Sequence, residues 1–489
     1  MDAGAGCPHH AAMRTEQFLT TDDALGQAFA AQRAAFAADR HPSLSQRLSR
    51  LQRLQQLLQA HEAEFVEAIR ADFGGRSSHE TRLAELFVLE AGLSHARRHL
   101  RRWMRPRRVR TALHFWPGHN RLLPQPLGVV GIVAPWNYPL QLALGPAVAA
   151  LAAGNRVLIK PSELTPRLSA ALAAAVARHF HPNELCVVTG DAELSRRFCA
   201  LPFDHLVFTG STAVGRKVAQ AAAANLTPVT LELGGKSPAL FDASVDLAQA
   251  VPRLAVGKLF NAGQTCIAPD YLLLPRGMTD ALVQHLQQAV ARLYPTLRDN
   301  PDYTAIVSDS HRRRLQALLD DARDCGARLV PLNPAGEDLQ SGTPKLVPTL
   351  LLGATPAMRV MQEEIFGPLL PVVTYDTLDE ALAFINAGDR PLALYWFGRD
   401  AAARERVLRD THAGGVTVND CLWHMGQEDQ PFGGVGASGQ GAYHGHWGFD
   451  RFSHLKPVYQ QSRFTGAVLF RPPYGRLFER LLAMLRRWV

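Results

Sequence analysis

Apolar residues return at helical spacing over 44–73, through Leu44, Leu48, Leu51, Leu54, Leu58, Phe65 and Ile69. The glycine pair at 74 and 75 marks the stop. Residues 1–20 carry no such period and read as a disordered tail. Beyond residue 127 short unbroken apolar runs take over. "GVVGIVA" (128–134), "RVLIK" (156–160), "LCVVT" (185–189), "HLVFT" (205–209) and "PVTLEL" (228–233) read as strands. Helical patterns over 141–154, 166–180, 193–200 and 212–224 separate them. Strands apolar on both faces, alternating with helices, predict an α/β fold with a parallel sheet covered on both sides.

A second α/β series runs over 236–420. Strands are expected at 237–241, 271–275, 369–375, 392–398 and 414–419, and helices near 246–260, 279–294, 309–325, 378–387 and 400–410. No repeat or low-complexity linker separates the halves, so the boundary is set near 235. "PFGGVGASGQGAYHG" (431–445) is too rich in glycine for a helix and reads as an ordered loop.

Ligands of open parallel sheets bind beyond the carboxyl ends of the strands, so the residues that follow each strand matter most. Here they are "PWNYP" (135–139), "PSE" (161–163), "GSTAVG" (210–215) and "GGKSP" (234–238). "GSTAVG" opens a helix, where backbone N–H groups favour a phosphate. Ser211 and Thr212 break the GxGxxG pattern, and a tight strand–helix turn explains the stretch equally well. Lys160 and Glu163 stand where a ribose could be held, or form a surface ion pair. Glu163 would repel a 2′-phosphate and favours NAD over NADP; Lys160 pulls the other way. Glu232 lies in a strand that otherwise reads as buried. Burial raises a carboxyl pKa toward the range of a general base, although a structural glutamate bonded to backbone is the alternative. The amide of Asn137 could stabilise an oxyanion or cap a turn. Cys266, in "NAGQTCIAPD" (261–270), is a nucleophile or a small buried apolar residue.

These stretches, with "EEIFGP" and "PFGGVGASG", resemble the motif set of the NAD(P)-dependent aldehyde dehydrogenase superfamily, in family order over about 127–455. "QTCIAPDY" and "GAYHG" are similar to its class 3 branch, and the whole chain resembles bacterial coniferyl aldehyde dehydrogenases most. The resemblance implies a Rossmann-like NAD domain (21–235), a catalytic α/β domain (236–420) and a glycine-rich loop with a β arm (421–465). Strands near 121–128 and 453–459 would form that arm and join a homodimer. It implies Cys266 as nucleophile, Glu232 as general base and Asn137, with the Cys266 N–H, as oxyanion donor. Lys160 and Glu163 would hold the adenosine ribose, and Gly210, Ser211 and Gly215 the pyrophosphate. Leu233, Glu364 and Phe366 would meet the nicotinamide half, and Trp136 would also touch the cofactor. Tyr138, Trp136 and Trp423 could line an aromatic or long-chain substrate pocket. The implied reaction is oxidation of an aldehyde, aromatic or aliphatic, to the acid through a cysteine thioester. A CoA-acylating dehydrogenase and a cofactor-free cysteine hydrolase are the rivals. An ionised Glu232 touching Cys266 would oppose thiolate formation, so Glu232 is expected to act through a water or by moving.

Composition trims this picture. Six scattered cysteines, with no CxxC or HExxH, argue against a disulfide framework or zinc site; "CPHH" at 7–10 is at most a weak metal site. The net charge of +8 is local: residues 97–110 hold eight arginines and no acid. No aromatic base-stacking pattern accompanies them, so a solvated helix end or subunit contact is expected rather than nucleic acid. No apolar run is long enough to span a bilayer and the start lacks a signal-peptide core, so a soluble cytoplasmic protein is expected. The amphipathic tail (466–489) presents Leu477, Leu481, Leu485 and Trp488 on one face. It is expected to pack on the protein, with weak contact to a membrane surface as the alternative.

Overall fold

The computed structural model describes residues 22–487. The tail over 1–20, the histidines at 9 and 10, and Trp488 lie outside the described residues. The first element, helix Asp22–Ala38, precedes any element expected from the sequence. Leu25, Ala28 and Phe29 are buried, but so is Gln32, whose amide donates to the carbonyls of Val157 (2.7 Å) and Pro182 (3.0 Å). A glutamine on the inner face breaks the apolar period, so the helix does not stand out in the sequence. Helix Leu44–Asp72 follows the expected pattern. Ser43 and Gln46 close a capping box at its start, and Leu51, Leu54, Leu58, Phe65 and Ile69 are buried.

The strands along the chain are β1 (Arg107–Val109), β2 (His119–Pro126), β3 (Val129–Val133), β4 (Arg156–Lys160), β5 (Leu185–Val187), β6 (His205–Gly210), β7 (Val229–Leu233) and β8 (Pro238–Phe241). They continue with β9 (Tyr271–Pro275), β10 (Arg328–Pro331), β11 (Thr349–Leu352), β12 (Leu369–Tyr375), β13 (Ala393–Phe397), β14 (Gly415–Val418), β15 (Gly439–Gln440) and β16 (Ser453–Gln460). One sheet has the order β15-β7-β6-β3-β4-β5, parallel throughout except for β15. A second has the order β10-β11-β12-β9-β8-β13-β14, with only β10 antiparallel. The chain changes sheet between Leu233 and Pro238. In the third sheet, β2 runs between β1 and β16, antiparallel to both.

Residues of β3 alternate between two cores. Val130 and Ile132 pack with Leu51, Leu93 and Leu144 from the helices on one face; Val129 and Val133 pack with Leu25 and Phe198 on the other. Double burial is what makes these strands read as unbroken apolar runs. The arginines at 97–102 lie at the end of helix Val88–Trp103, and Arg107 pairs with Asp450. β10 and β11 were not expected: β10 is a half-exposed edge, and β11 has four residues between Pro348 and Gly353.

The glycine-rich stretch is mostly loop, but it contributes β15 to the first sheet. Gly439 pairs with Glu232 of β7. Its φ is +147°, and a Cβ there would collide with the Leu231 carbonyl. Only glycine fits this edge of the sheet. Gly439→Ala should therefore lower the unfolding free energy by about 1–3 kcal/mol in denaturant titration. Gly466→Ala, where a Cβ meets open space, should leave it nearly unchanged. Equal midpoints for the two variants would contradict this account of the edge.

Candidate active site

Register places the expected residues along one rim. Val133 is level with Lys160 and Phe208, and Gly210 with Leu233, so the loops after β3, β4, β6 and β7 emerge side by side. Lys160 is buried and its Nζ is 3.0 Å from a carboxylate oxygen of Glu163, whose side chain is exposed. Ser211 caps helix Thr212–Ala223, accepting from the Val214 N–H at 3.4 Å. A Cβ on Gly215 would press into Leu233, and one on Gly234 would overlap the Glu364 carboxyl. A cleft beside this helix is lined by Thr212, Arg216, Gly234, Lys236 and Glu364. An exposed helix N-terminus, glycines that leave no room for side chains and a lysine–glutamate pair two strands away form a row that fits an extended dinucleotide.

Glu364 and Phe366 come from the second sheet's side, ahead of β12. Phe366 adopts φ +52°, in the left-handed region, and its ring meets Trp136 edge-on at 5.3 Å. Trp136 also meets His311 at 4.9 Å. The Glu364 carboxyl is pushed up to about 8, by burial first and then by Asp270. The Gly235 N–H, Lys236 and Arg314 work against that rise.

Cys266 follows an unusual turn. Helix Leu247–Leu259 ends, and Asn261, Ala262 and Gly263 have successive φ values of +53°, +51° and +75°. The thiol behind this turn is partly exposed, yet its pKa is pushed up to about 12. Burial of the sulfur is the main cause, followed by the negative charges of Glu364 and Glu232; the N–H groups of Cys266 and Ile267 oppose them. Glu232 is buried and neither carboxyl oxygen has a hydrogen-bond partner. Burial raises its pKa well above the ordinary value, against the pull of Arg451. Burial thus favours the protonated form of each group. Tyr443, which the sequence reading passed over, is fully buried with an unpartnered hydroxyl; burial first, and then the charges of Glu232 and Cys266, raise its pKa.

Asn137 is buried on the loop after β3. Its backbone carbonyl accepts from Arg76 Nη1 (2.7 Å) and from Asn261 Nδ2 (3.1 Å), while its own amide has no hydrogen-bond partner among the described residues. Tyr138 is more constrained than a residue simply lining a pocket. Its hydroxyl lies 2.6 Å from Thr265 Oγ1, and its ring packs with Ala84 and Leu142 against Phe260. Trp423 is exposed. Arg76 and Asn261 carry no role in the sequence reading. Asn261 lay within a quoted motif, but for Arg76 the only local signal was a cation after two glycines. No group of three or more His, Cys, Asp or Glu side chains suited to a metal occurs among the described residues.

The sequence profile of the aldehyde dehydrogenase family matches residues 7–458. A Pseudomonas aeruginosa protein named probable coniferyl aldehyde dehydrogenase is 50% identical over 457 residues, spanning 94% of this chain and 95% of its own. The substrate-bound structure of Staphylococcus aureus AldH superposes with a TM-score of 0.89 at 38% identity, covering 94% of this chain and 99% of that one. The NAD-dependent aldehyde dehydrogenase of Sinorhizobium meliloti gives a TM-score of 0.82 at 30% identity, covering 91% and 88%.

The electrostatics of Cys266 generate a signed prediction. Above pH 8 Glu364 is ionised and raises the thiol pKa, so Glu364→Gln lowers it and enlarges the thiolate fraction. Iodoacetamide labelling of Cys266, followed by peptide mass mapping, should be faster in Glu364→Gln than in wild type at pH 9. At pH 6.5, where both side chains are neutral, the two rates should agree. A slower rate in the variant at pH 9 would reverse the assigned sign.

Proposed function

The chain belongs to the aldehyde dehydrogenase family, and from that premise we propose that it oxidises an aldehyde to its carboxylic acid with NAD, through a thioester on Cys266. The observation that carries this reading is the placement of Cys266 where the charges of both Glu232 and Glu364 act on its thiol, beside the row of loops that fits a dinucleotide. The domain over 21–235 would bind NAD and that over 236–420 would supply the nucleophile. Lys160 and Glu163 would hold the adenosine ribose, Gly210, Ser211 and Gly215 the pyrophosphate, and Trp136, Leu233, Glu364 and Phe366 the nicotinamide half. Bound NAD supplies the hydride acceptor. The exposed Glu163 carboxylate favours it over NADP, whose 2′-phosphate it would repel.

The remaining chemistry belongs to this chain. The Cys266 thiol releases its proton to solvent water and its sulfur attacks the aldehyde carbon. The Asn137 amide and the Cys266 N–H hold the oxyanion that forms on the former carbonyl oxygen. Burial favours the neutral form of Glu232, which places less negative charge against the thiolate. After its own proton has passed to solvent, it takes a proton from the water that attacks the thioester; the C–S bond breaks, the sulfur departs as thiolate and the acid leaves. The name of the Pseudomonas relative makes coniferyl aldehyde the first substrate to test, with other aromatic and medium- or long-chain aliphatic aldehydes beside it.

A homodimer joined through the third sheet completes the proposal. Leu113, Phe115 and Trp116 are exposed between β1 and β2. Helix Arg476–Arg486 has no fully buried residue; Phe478, Leu481, Leu482 and Leu485 are half-buried, and Phe478 meets Phe470 and Tyr474 of the same tail. Its apolar side, with Leu477 and Met484 exposed, suits a second copy. No helix among the described residues is long and apolar enough to cross a membrane; liposome flotation would test the weaker reading of surface contact.

Cys266→Ala should lower NADH formation at least about 10³-fold while NAD binding, read by fluorescence titration, stays near the wild-type value. Glu232→Gln should lower the steady-state rate by about 10²–10⁴-fold and spare the first turnover, leaving a burst of NADH. An unchanged steady-state rate in Glu232→Gln would remove the base assignment. An acyl-CoA product on adding CoA would replace hydrolysis with thiolysis.

A further inference from the structure

We propose that Arg76 is a positioning residue for the oxyanion donor, fixing Asn137 relative to Cys266 by binding the Asn137 backbone carbonyl. The inference rests on the reading of Asn137 as that donor. Arg76 is almost fully buried in the segment ahead of the short helix Ser78–Thr81, far in sequence from either loop it serves. Its Nη1 donates to the Asn137 carbonyl at 2.7 Å and lies 3.1 Å from a carboxylate oxygen of Glu85. Its guanidinium lies over the rings of Phe73 (5.0 Å) and Tyr138 (4.9 Å). A planar cation between two rings, with a carboxylate at its edge, has little freedom to move.

Both residues held by Arg76 are tied to the cysteine loop. Asn261 Nδ2 donates to the same Asn137 carbonyl and to the Gln264 carbonyl, each at 3.1 Å. The Tyr138 hydroxyl is 2.6 Å from the Thr265 hydroxyl, next to Cys266. Glu85 fixes the other end of the Asn137 loop: its second oxygen accepts from the Leu140 N–H (2.7 Å) and the Gln141 N–H (3.2 Å) at the start of helix Gln141–Ala153. Glu80 of the same segment reaches the cysteine side. It accepts from the Asn261 N–H (3.1 Å) and from Thr304 Oγ1 (2.8 Å). The segment around residues 76–85 thus clamps two loops from different sheets, and Arg76 touches both Asn137 and Tyr138. The Asn137 amide itself is left unbonded. Its direction is set by where its backbone is held, and misplacement by about 1 Å costs a reacting group on the order of 10²-fold in rate.

The test is a double-mutant cycle between Arg76→Met and Asn137→Ala. It is read by single-turnover NADH formation at saturating NAD with coniferyl aldehyde, or octanal if coniferyl aldehyde is not turned over. Arg76→Met should lower the rate about 10–100-fold, with the Kd for NAD within about twofold of wild type. In the Asn137→Ala background the same substitution should change the rate less than about twofold, because the group it positions is gone. Arg76→Met strands the buried Glu85 carboxylate and could prevent folding. Arg76→Lys keeps a cation and a donor, and should show a smaller loss with the same dependence on Asn137. Equal losses in both backgrounds, no loss in either, or a parallel loss of NAD binding would overturn the inference. Full activity of Asn137→Ala alone would instead overturn the oxyanion reading, and the inference with it.

Discussion

One peptide carbonyl, that of Asn137, joins the two halves of this molecule. It accepts from a guanidinium on one side and a carboxamide on the other, and those donors belong to segments far apart in sequence. The loop after β3 and the turn before Cys266 grow from different sheets, each with its own cores. Nothing in the strand ladders fixes one sheet against the other at the ångström level. Directed hydrogen bonds between buried groups can do so, because a buried donor or acceptor left unpaired costs about 1–3 kcal/mol. The successive left-handed residues at 261–263 fit the same pattern: strained backbone is retained where its surroundings hold it in place.

Desolvation gives the site its resting state. Glu232 has two unpartnered carboxyl oxygens, Glu364 is raised to about 8, and the Cys266 thiol to about 12. Burial shifts each group toward its protonated, uncharged form. The charge of Glu232 raises the Cys266 pKa, the sign expected of an ionised carboxylate beside a thiol. Such surroundings disfavour the thiolate, and a positive charge beside the sulfur would favour it.

Much of the fold was legible because double burial writes itself into the sequence. The strands of the two parallel sheets are apolar at successive positions, and the loops after them carry the polar residues. What escaped was polar and buried. Gln32, Glu80 and Glu85 interrupt apolar periods on inward faces, so their segments read as surface or not at all. Arg76 has no pattern, since its meaning lies in a carbonyl 61 residues away. The short β15 was unreadable for a similar reason: two residues in a glycine loop become a strand only because β7 is beside them. The candidate site residues were visible one loop at a time. Their electrostatic coupling depends on how two sheets face each other, and no local spacing encodes that.

β15 also bears on the order in which the chain acquires its shape. The strand that carries Glu232 is the outermost of the parallel set until Gly439 arrives beside it, 207 residues later in the chain. During synthesis the ribosome releases β7 long before its neighbour exists. The nascent domain then presents an unpaired row of N–H and C=O groups along β7, the kind of edge that recruits strands from other chains. The third sheet has the same delay, since β2 must wait for β16. Both late arrivals fall within 22 residues of each other, 439–460, so a single passage of chain closes the sheet edge nearest Glu232 and completes the arm in one event.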